Sequence, residues 1–321
     1  MRLRFRNARL VDAHLDELGD LTMAGGRIVS IGPRGDEAES APAGRASAEG
    51  RGPLVDIDCG AGAMGRPLVL MPAFVDLHVH FRDPGFPDKE NLESGLLAAA
   101  AGGYGTVAAM ANTRPVTDDP SRALALRSRA GAIGLADYFP VLAMTRGLEG
   151  KDISHLDDLA ALGVGKAASA TGRHEAESAR YAIRMISDDG RDLASDEVML
   201  AAMRRAGALG LTVVCHCEIA PASPPRGDDP EAWYSSAEGM AADRGAEIRG
   251  VERALRLALE AGCALHLCHL STRESLDLVR EAKSRPDHRV SCEATPHHLA
   301  LGAGVALAAG AAGRGRVNPW L

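Results

Sequence analysis

The stretch "FVDLHVHFRDPG" (Phe74–Gly85) begins as an apolar strand and then places imidazoles at two positions, His78 and His80. Side chains alternate along a strand, so these two histidines point one way while Leu77 and Val79 point the other. At the C-terminal end of a first barrel strand, that shared direction is the mouth of the barrel, where barrel active sites are built. Neutral imidazole is a common zinc ligand, and H-x-H offers two ligands on one face. By itself the pattern does not separate a metal site from two hydrogen-bonded histidines.

Outward from this stretch, apolar strands alternate with helical segments. The strands read "LVLMPAFVDLHVHF", "YGTVAAMAN", "ADYFPVLAMT", "YAIRMISDD", "LTVVCHCE", "ALHLCHLS" and "RVSCEATP". Between them we expect helices over residues 90–101 and 120–130, over 195–209 with Ser195 as N-cap, and over 246–262. Ile248, Val251, Leu255 and Leu259 mark the apolar face of the last of these. "STRE" (Ser271–Glu274) reads as a capping box before "SLDLVREAK". Such alternation implies a parallel sheet, and seven repeats point to an α/β protein of the (β/α)8 TIM-like barrel type that lacks its eighth strand. An open barrel edge is a liability, so we expect the chain to be a fragment of a longer one.

Ahead of the barrel, residues 2–33 alternate as short strands, with a tight reversal at Gly25–Gly26. Residues 33–67 are rich in Gly, Ala, Glu and Pro around a short "LVDIDC" strand, and read as a loop-rich insertion. The expected division is thus an N-terminal domain over 1–67 and a barrel over 68–321.

At 46% hydrophobic and 25% charged, the 321 residues read as a soluble globular protein. The net charge of −7 argues against nucleic acid as the main partner. The N-terminus has no apolar signal core and no run of about 18 apolar residues occurs, so we expect a cytoplasmic protein with no membrane partner. Six cysteines form no C-x-x-C pair and read as reduced and buried. Cys215 and Cys217 flank His216, hence face away from it.

Other strand ends add candidates. His216 ends "TVVCHCE", His269 ends "LHLCHLS", and "SDDG" (Ser187–Gly190) closes another strand with two carboxylates. A carboxylate bridging two cations would allow a two-metal site. Asp188 and Asp189 face opposite ways, so one of them is expected to bind metal and the other to serve a turn or helix cap. His266 has the opposite parity to His269 and is expected to pack against a helix. His297 and His298 could reach the mouth as outer partners. His14, His155, His174 and His288 are expected at the surface. Arg82, two residues past His80, suggests a carboxylate-bearing substrate held by a bidentate fork. Asn112 in "ANTRP" could donate an amide to the same group.

"MPAFVDLHVHFRDPGFPDKENLESG", "MANTRPVTDDP", "SDDG", "HCE", "HLST", "EATPHHL" and "VNPWL" together resemble the successive motifs of dihydroorotases, in the bacterial class I branch of the amidohydrolase superfamily. The resemblance implies a barrel with a small β-sandwich built by both chain ends, residues 1–67 matching its N-terminal part. It implies reversible cyclisation of N-carbamoyl-L-aspartate to L-dihydroorotate in pyrimidine synthesis. His78, His80, His216 and His269 match the zinc-ligand motifs, for one or two Zn2+ per chain, and Asp189 matches the bridging aspartate. Arg82, Asn112 and Asn318 match substrate-binding residues. The resemblance also admits a homodimer and an association with aspartate transcarbamoylase.

The departures from the family pattern are "MANT" for "MPNT", Pro319-Trp320-Leu321 for "NPPL", and the insertion "GKAASATGRHEAESAR" (165–180). The family's "D-x-A-P-H" segment, with its general acid/base aspartate, would fall beyond Leu321, so we expect these residues alone to be inactive. Two further readings are a hydantoinase- or allantoinase-like amidase, with Lys166 as the nearest candidate for a carboxylated bridging lysine, and a non-catalytic scaffold for aspartate transcarbamoylase.

Overall fold

The computed structural model describes residues 1–33, 52–62, 65–162, 164, 183–190, 193, 195–219 and 237–301. The chain divides into two compact units, Met1–Phe74 and Val75–Leu321.

The first unit is one five-stranded sheet. Strands β1 (Arg2–Val11), β2 (Asp16–Ala24) and β3 (Arg27–Pro33) form an antiparallel meander, and β4 (Leu54–Asp58) and β5 (Val69–Leu70) join the free edge of β1 in parallel. Gly25 and Gly26 take φ of 56° and 74° at the β2–β3 reversal, the positive values a two-residue hairpin turn needs. Ala8, Leu10, Leu21 and Cys59 form the unit's core.

In the second unit the strands are β6 (Phe74–Val79), β7 (Tyr104–Ala109), β8 (Asp137–Pro140), β9 (Leu142–Ala143), β10 (Met185–Ser187), β11 (Thr212–Cys215), β12 (Ala264–Leu267) and β13 (Val290–Cys292). They lie in two stretches, β6-β7-β8 and β9-β10-β11-β12-β13, and the pairs β7–β8 and β9 through β13 run parallel. One residue, Val141, separates β8 from β9, and its N–H donates to the Ala109 carbonyl at 2.9 Å. The segment 137–143 therefore pairs with β7 at its start and β10 at its end. The strand segments read from sequence recur with two differences: "LVLMPAFVDLHVHF" is not one barrel strand, because Val69–Leu70 pairs with β1 in the first sheet and Phe74–Val79 is a separate strand, and residues 181–182 of "YAIRMISDD" lie outside the described residues.

Helices α1 (Leu92–Ala101), α2 (Pro120–Ile133), α3 (Leu156–Ala161), α4 (Asp196–Leu209), α5 (Ala237–Ala261), α6 (Arg273–Lys283) and α7 (Pro296–Ala300) lie between and after these strands. Their starts follow from capping chemistry. Asn91 and Ser94 form a reciprocal capping box, Asp119 accepts from Ser121 N with Pro120 next in line, and Ser195 accepts from Val198 N. At α6 the cap is Thr272, accepting from Ser275 N, and not Ser271 as the "STRE" pattern suggested. Ser271 is engaged by a buried carboxylate instead, as described below.

Helix-facing strand residues such as Leu142, Ile186, Val213, Leu265 and Leu267 join Met199, Met203, Val251 and Leu257 in the main core. Each such fully buried aliphatic side chain contributes roughly 1.5–3 kcal/mol. On the other sheet face, Ala108, Met110, Val141, Met185, Val214 and Cys268 form a separate cluster. All six cysteines are free, five of them buried. No helix among the described residues is long and apolar enough to cross a membrane.

Candidate metal centre

His78 lies on β6 and His80 follows directly after it, as the alternation of strand side chains requires. Asp189 follows β10, His216 follows β11 and His269 follows β12. These five residues converge from strand ends far apart in sequence. His78 Nε2 is 3.0 Å from Asp189 Oδ1, and His80 Nε2 is 3.5 Å from Asp189 Oδ2. The two imidazoles of H-x-H face each other, Nε2 to Nε2, at 3.2 Å. On the other side His216 Nδ1 and His269 Nε2 are 2.9 Å apart. Three sets of ligand atoms thus lie close enough for a cation among the described residues: His78, His80 and Asp189; Asp189, His216 and His269; and His78, Cys268 and Glu293. Asp189 belongs to the first two.

The donor set fits a metal. Ligands at 2.0–2.1 Å in a tetrahedral site are separated by about 3.3 Å, which is the spacing of these nitrogens and oxygens. Facing imidazole nitrogens are also a poor arrangement without a shared proton or cation between them.

Outer partners hold the ligands in place. His78 Nδ1 meets Glu293 Oε1 at 3.2 Å, and His80 Nδ1 meets Asn112 Oδ1 at 3.0 Å. The Asn112 amide also donates to Asp189 Oδ2 at 2.9 Å. His216 Nε2 meets Glu218 Oε2 at 2.9 Å. His269 has a φ of 38°, a left-handed conformation uncommon for a side chain with a Cβ. The residues after it are fixed by Glu247 of α5, which is 1% exposed. Glu247 accepts from the Ser271 and Thr272 N–H groups, both at 3.0 Å, and from their hydroxyls at 2.8 and 2.7 Å. One turn on, a Cβ at Gly250 would lie 2.9 Å from the Cys217 carbonyl carbon, so only glycine lets α5 approach the backbone after His216.

The electrostatics separate the ligands. Burial pushes the Asp189 carboxyl up, but the hydrogen bond to His78 and the charges of His78, His80 and His216 outweigh it and hold it at about 2. Burial pushes His78 down, yet Asp189 and Glu293 raise it to about 9. His269 falls to about 3, from burial first and then from the charges of His216 and His78, and burial likewise lowers His80. Asp189 is therefore an anion beside His80 and His269, which favour the neutral, ligating form of imidazole.

Several sequence expectations need correction. Asp188 is neither a turn nor a helix cap: it is buried and accepts from the Thr145 N–H at 2.8 Å and from the Thr145 hydroxyl, tying β10 to the end of β9. His266 does not pack against a helix. It lines the same 660 Å³ cavity as His78, His80, His269 and His297, because the backbone leaves strand geometry at His269 and the parity count fails there. His155 is fully buried, its Nε2 2.8 Å from the Ala143 carbonyl, and His288 is half-buried. Arg82 lies past the end of β6 with φ of 57°, so strand parity does not place it. Its charge still reaches His80, and its guanidinium has no ion-pair partner among the described residues. His298 is held by Thr295 at 2.7 Å. Asn318, Lys166, His174 and the 165–180 insertion lie outside the described residues. Glu293 and Glu247 went unassigned in the sequence. Glu293 could have been found as a carboxylate at a strand's C-terminal end, whereas nothing local marks Glu247.

Three comparisons place the chain. Relatives described as dihydroorotases include one from Geobacter sulfurreducens, 32% identical over 304 residues, covering 94% of this chain and 62% of the relative. Another, from Thermus aquaticus, is 38% identical over 304 residues, covering 92% of this chain and 61% of the relative. The chain thus spans less than two thirds of the length of these relatives. Among solved structures, L-hydantoinase (dihydropyrimidinase) from Arthrobacter aurescens superposes with a TM-score of 0.67 at 23% identity, over 95% of this chain and 60% of the other, a likeness of fold. The model of dihydro-orotase-like proteins matches residues 67–275, the span that carries all five converging residues. By that match the chain belongs to the dihydro-orotase-like family.

Proposed function

We propose that this chain carries the metal centre of a zinc-dependent cyclic amidohydrolase that interconverts N-carbamoyl-L-aspartate and L-dihydroorotate in pyrimidine synthesis, in the cytoplasm. The observation that carries the reading is the pair of three-ligand groups sharing Asp189 at strand C-termini. His78, His80 and Asp189 would hold one cation, and Asp189, His216 and His269 a second. Imidazole nitrogen with carboxylate oxygen suits Zn2+. The run of parallel strands, each reaching the same rim with its C-terminal end, supports a (β/α)8 barrel over 68–321. The N-terminal sheet, with one apolar core face, supports a sandwich part over 1–67.

When bound, the metal supplies Lewis acidity toward an amide carbonyl. The protein's own groups do the rest of what is assigned here. Asp189 stays ionised and accepts from Asn112, keeping its second oxygen toward His78. Arg82 would take a substrate carboxylate through its two-pronged guanidinium. Asn112, already joined to His80 and Asp189, would link the ligand set to that same carboxylate. The cavity bounded by the metal-side histidines and by His297 would receive the ring.

The test is a side-by-side assay of the zinc-loaded protein on L-dihydroorotate, hydantoin and allantoin, with zinc content measured on the same sample. The reading expects bound zinc and a preference for dihydroorotate. Preferential hydantoin or allantoin turnover would sink the substrate assignment, and a chain that takes up no zinc would sink the metal centre.

A further inference from the structure

We propose that Gly85 is a positioning residue: its docking against Arg114 fixes Arg82 and Asn112, which stand on two separate loops, at one separation. Held so, the guanidinium and the amide act as a single receptor for a substrate carboxylate. This rests on the substrate reading above and adds the residue that makes the receptor rigid. The first loop joins β6 to α1 and carries Arg82, and the second joins β7 to α2 and carries Asn112. Across them the Arg114 N–H donates to the Pro84 carbonyl at 2.8 Å. Gly85 lies next to that bond with a φ of 111°, a conformation that glycine alone adopts without strain. A Cβ there would run into the Arg114 carbonyl oxygen, and would lie 2.5 Å from Arg114 Cβ and 2.8 Å from Arg114 Cα. No rotamer change moves these atoms, so only glycine lets the two loops lie this close.

The contact is transmitted to both polar groups. The Phe86 N–H donates to the Arg82 carbonyl at 3.0 Å, closing the turn that contains Gly85, so a displacement at Gly85 passes to Arg82. The second loop is braced from within. Thr113 Oγ1 is 2.8 Å from the Pro115 carbonyl and 2.9 Å from Thr117 Oγ1, and both threonines are buried. Asn112 is tied further to His80 and Asp189. Gly85 itself is exposed. A side chain at position 85 would therefore leave the second loop in place and push the first toward solvent. The shift is about 1 Å, the shortfall from ordinary contact with Arg114. Arg82 and Asn112 would then no longer meet one carboxylate together. Losing a hydrogen bond to a charged group in this way corresponds to about 10–100-fold in affinity.

The test titrates the full 321-residue chain with orotate, which keeps the ring carboxylate of dihydroorotate, and follows binding by NMR. Gly85→Ala is expected to bind orotate about 10–100-fold more weakly while keeping the wild-type zinc content. Added to Arg82→Ala, it is expected to cost nothing more, because a residue that acts through Arg82 has no effect once Arg82 is gone. Wild-type affinity in Gly85→Ala, or the same loss repeated in the Arg82→Ala background, overturns the inference. Thr113→Val loosens the second loop without adding a clash, and covers the case of a Gly85→Ala chain that does not fold. It is expected to weaken orotate binding to a smaller extent, and wild-type affinity there overturns the inference as well. Arg82→Ala with wild-type orotate affinity would overturn the substrate reading instead. The crystal structure of Gly85→Ala then decides the role of Gly85: the Arg82–Asn112 Cα separation is expected to change by about 1 Å, and an unchanged separation overturns the inference.

Discussion

His78 and His80 come from one strand, two residues apart, whereas His216 and His269 come from the ends of two strands with a 25-residue helix between them. The first pair needs only the alternation of side chains to share a direction. The second needs two loops held at a fixed separation, and α5 supplies this through Glu247 and Gly250. The supports differ accordingly. The first pair is held by single side-chain contacts from Glu293 and Asn112. The second has one such contact, Glu218 to His216, and is otherwise held through its loops, with one histidine in a left-handed conformation. Half of the centre is thus encoded locally and half by tertiary packing.

The hardest blow to this picture would come from Asp189→Asn. Because Asp189 serves both sides, the variant is expected to lose zinc from both, by more than the roughly 10–100-fold that outer partners control. Elemental analysis after dialysis checks this, and full zinc retention would remove the shared carboxylate from the scheme. His80→Ala and His269→Ala come next. Each is expected to halve the zinc content of a two-zinc wild type while sparing the opposite side. Loss of all metal in both variants would mean that the two sides are one cooperative unit.

Glu247→Gln addresses the second pair alone. The amide leaves two of four donors without an acceptor, a cost of about 2–4 kcal/mol. Thermal unfolding should shift downward, and the His216–His269 side should weaken while the H-x-H side holds. Ser195→Ala should cost only about 1 kcal/mol through the lost cap of α4, with zinc unchanged on both sides. The smallest effect belongs to Asp196, which joins α4 to Arg256 and Arg253 of α5. Its hydrogen bonds to these arginines hold its pKa below the ordinary 3.8. The stabilisation is therefore present above 3.8 and is lost as pH falls through the lower folded value. Asp196→Asn should flatten the acid limb of a stability–pH curve and leave zinc uptake alone, since none of Asp196, Arg253 and Arg256 belongs to a ligand set.

How much of this was legible in the sequence follows the same division. The H-x-H strand, the strand–helix alternation and the Ser195 cap depend on neighbours within a few residues, and all are present. Asp189, His216 and His269 were candidates only because strand ends in a barrel meet at one rim. Where the backbone leaves regular geometry, counting failed. Parity counted from His269 assigns His266 to the wrong face because His269 breaks the strand period. Ser271 fits the cap position of its pattern, and the pattern cannot reveal that Glu247, 24 residues earlier, occupies it. Asp188 and Asp189 differ only in their surroundings, and no spacing rule assigns the Thr145 contact.

Glu247 and Gly250 stand three positions apart, on one side of one helix. That spacing makes α5 intolerant of insertion or deletion between them. A single added residue would turn the helix by about 100°. The buried carboxylate and the close backbone approach could then no longer meet their two loops together. Length changes within this one turn of α5 should therefore be rejected, whatever residue is added.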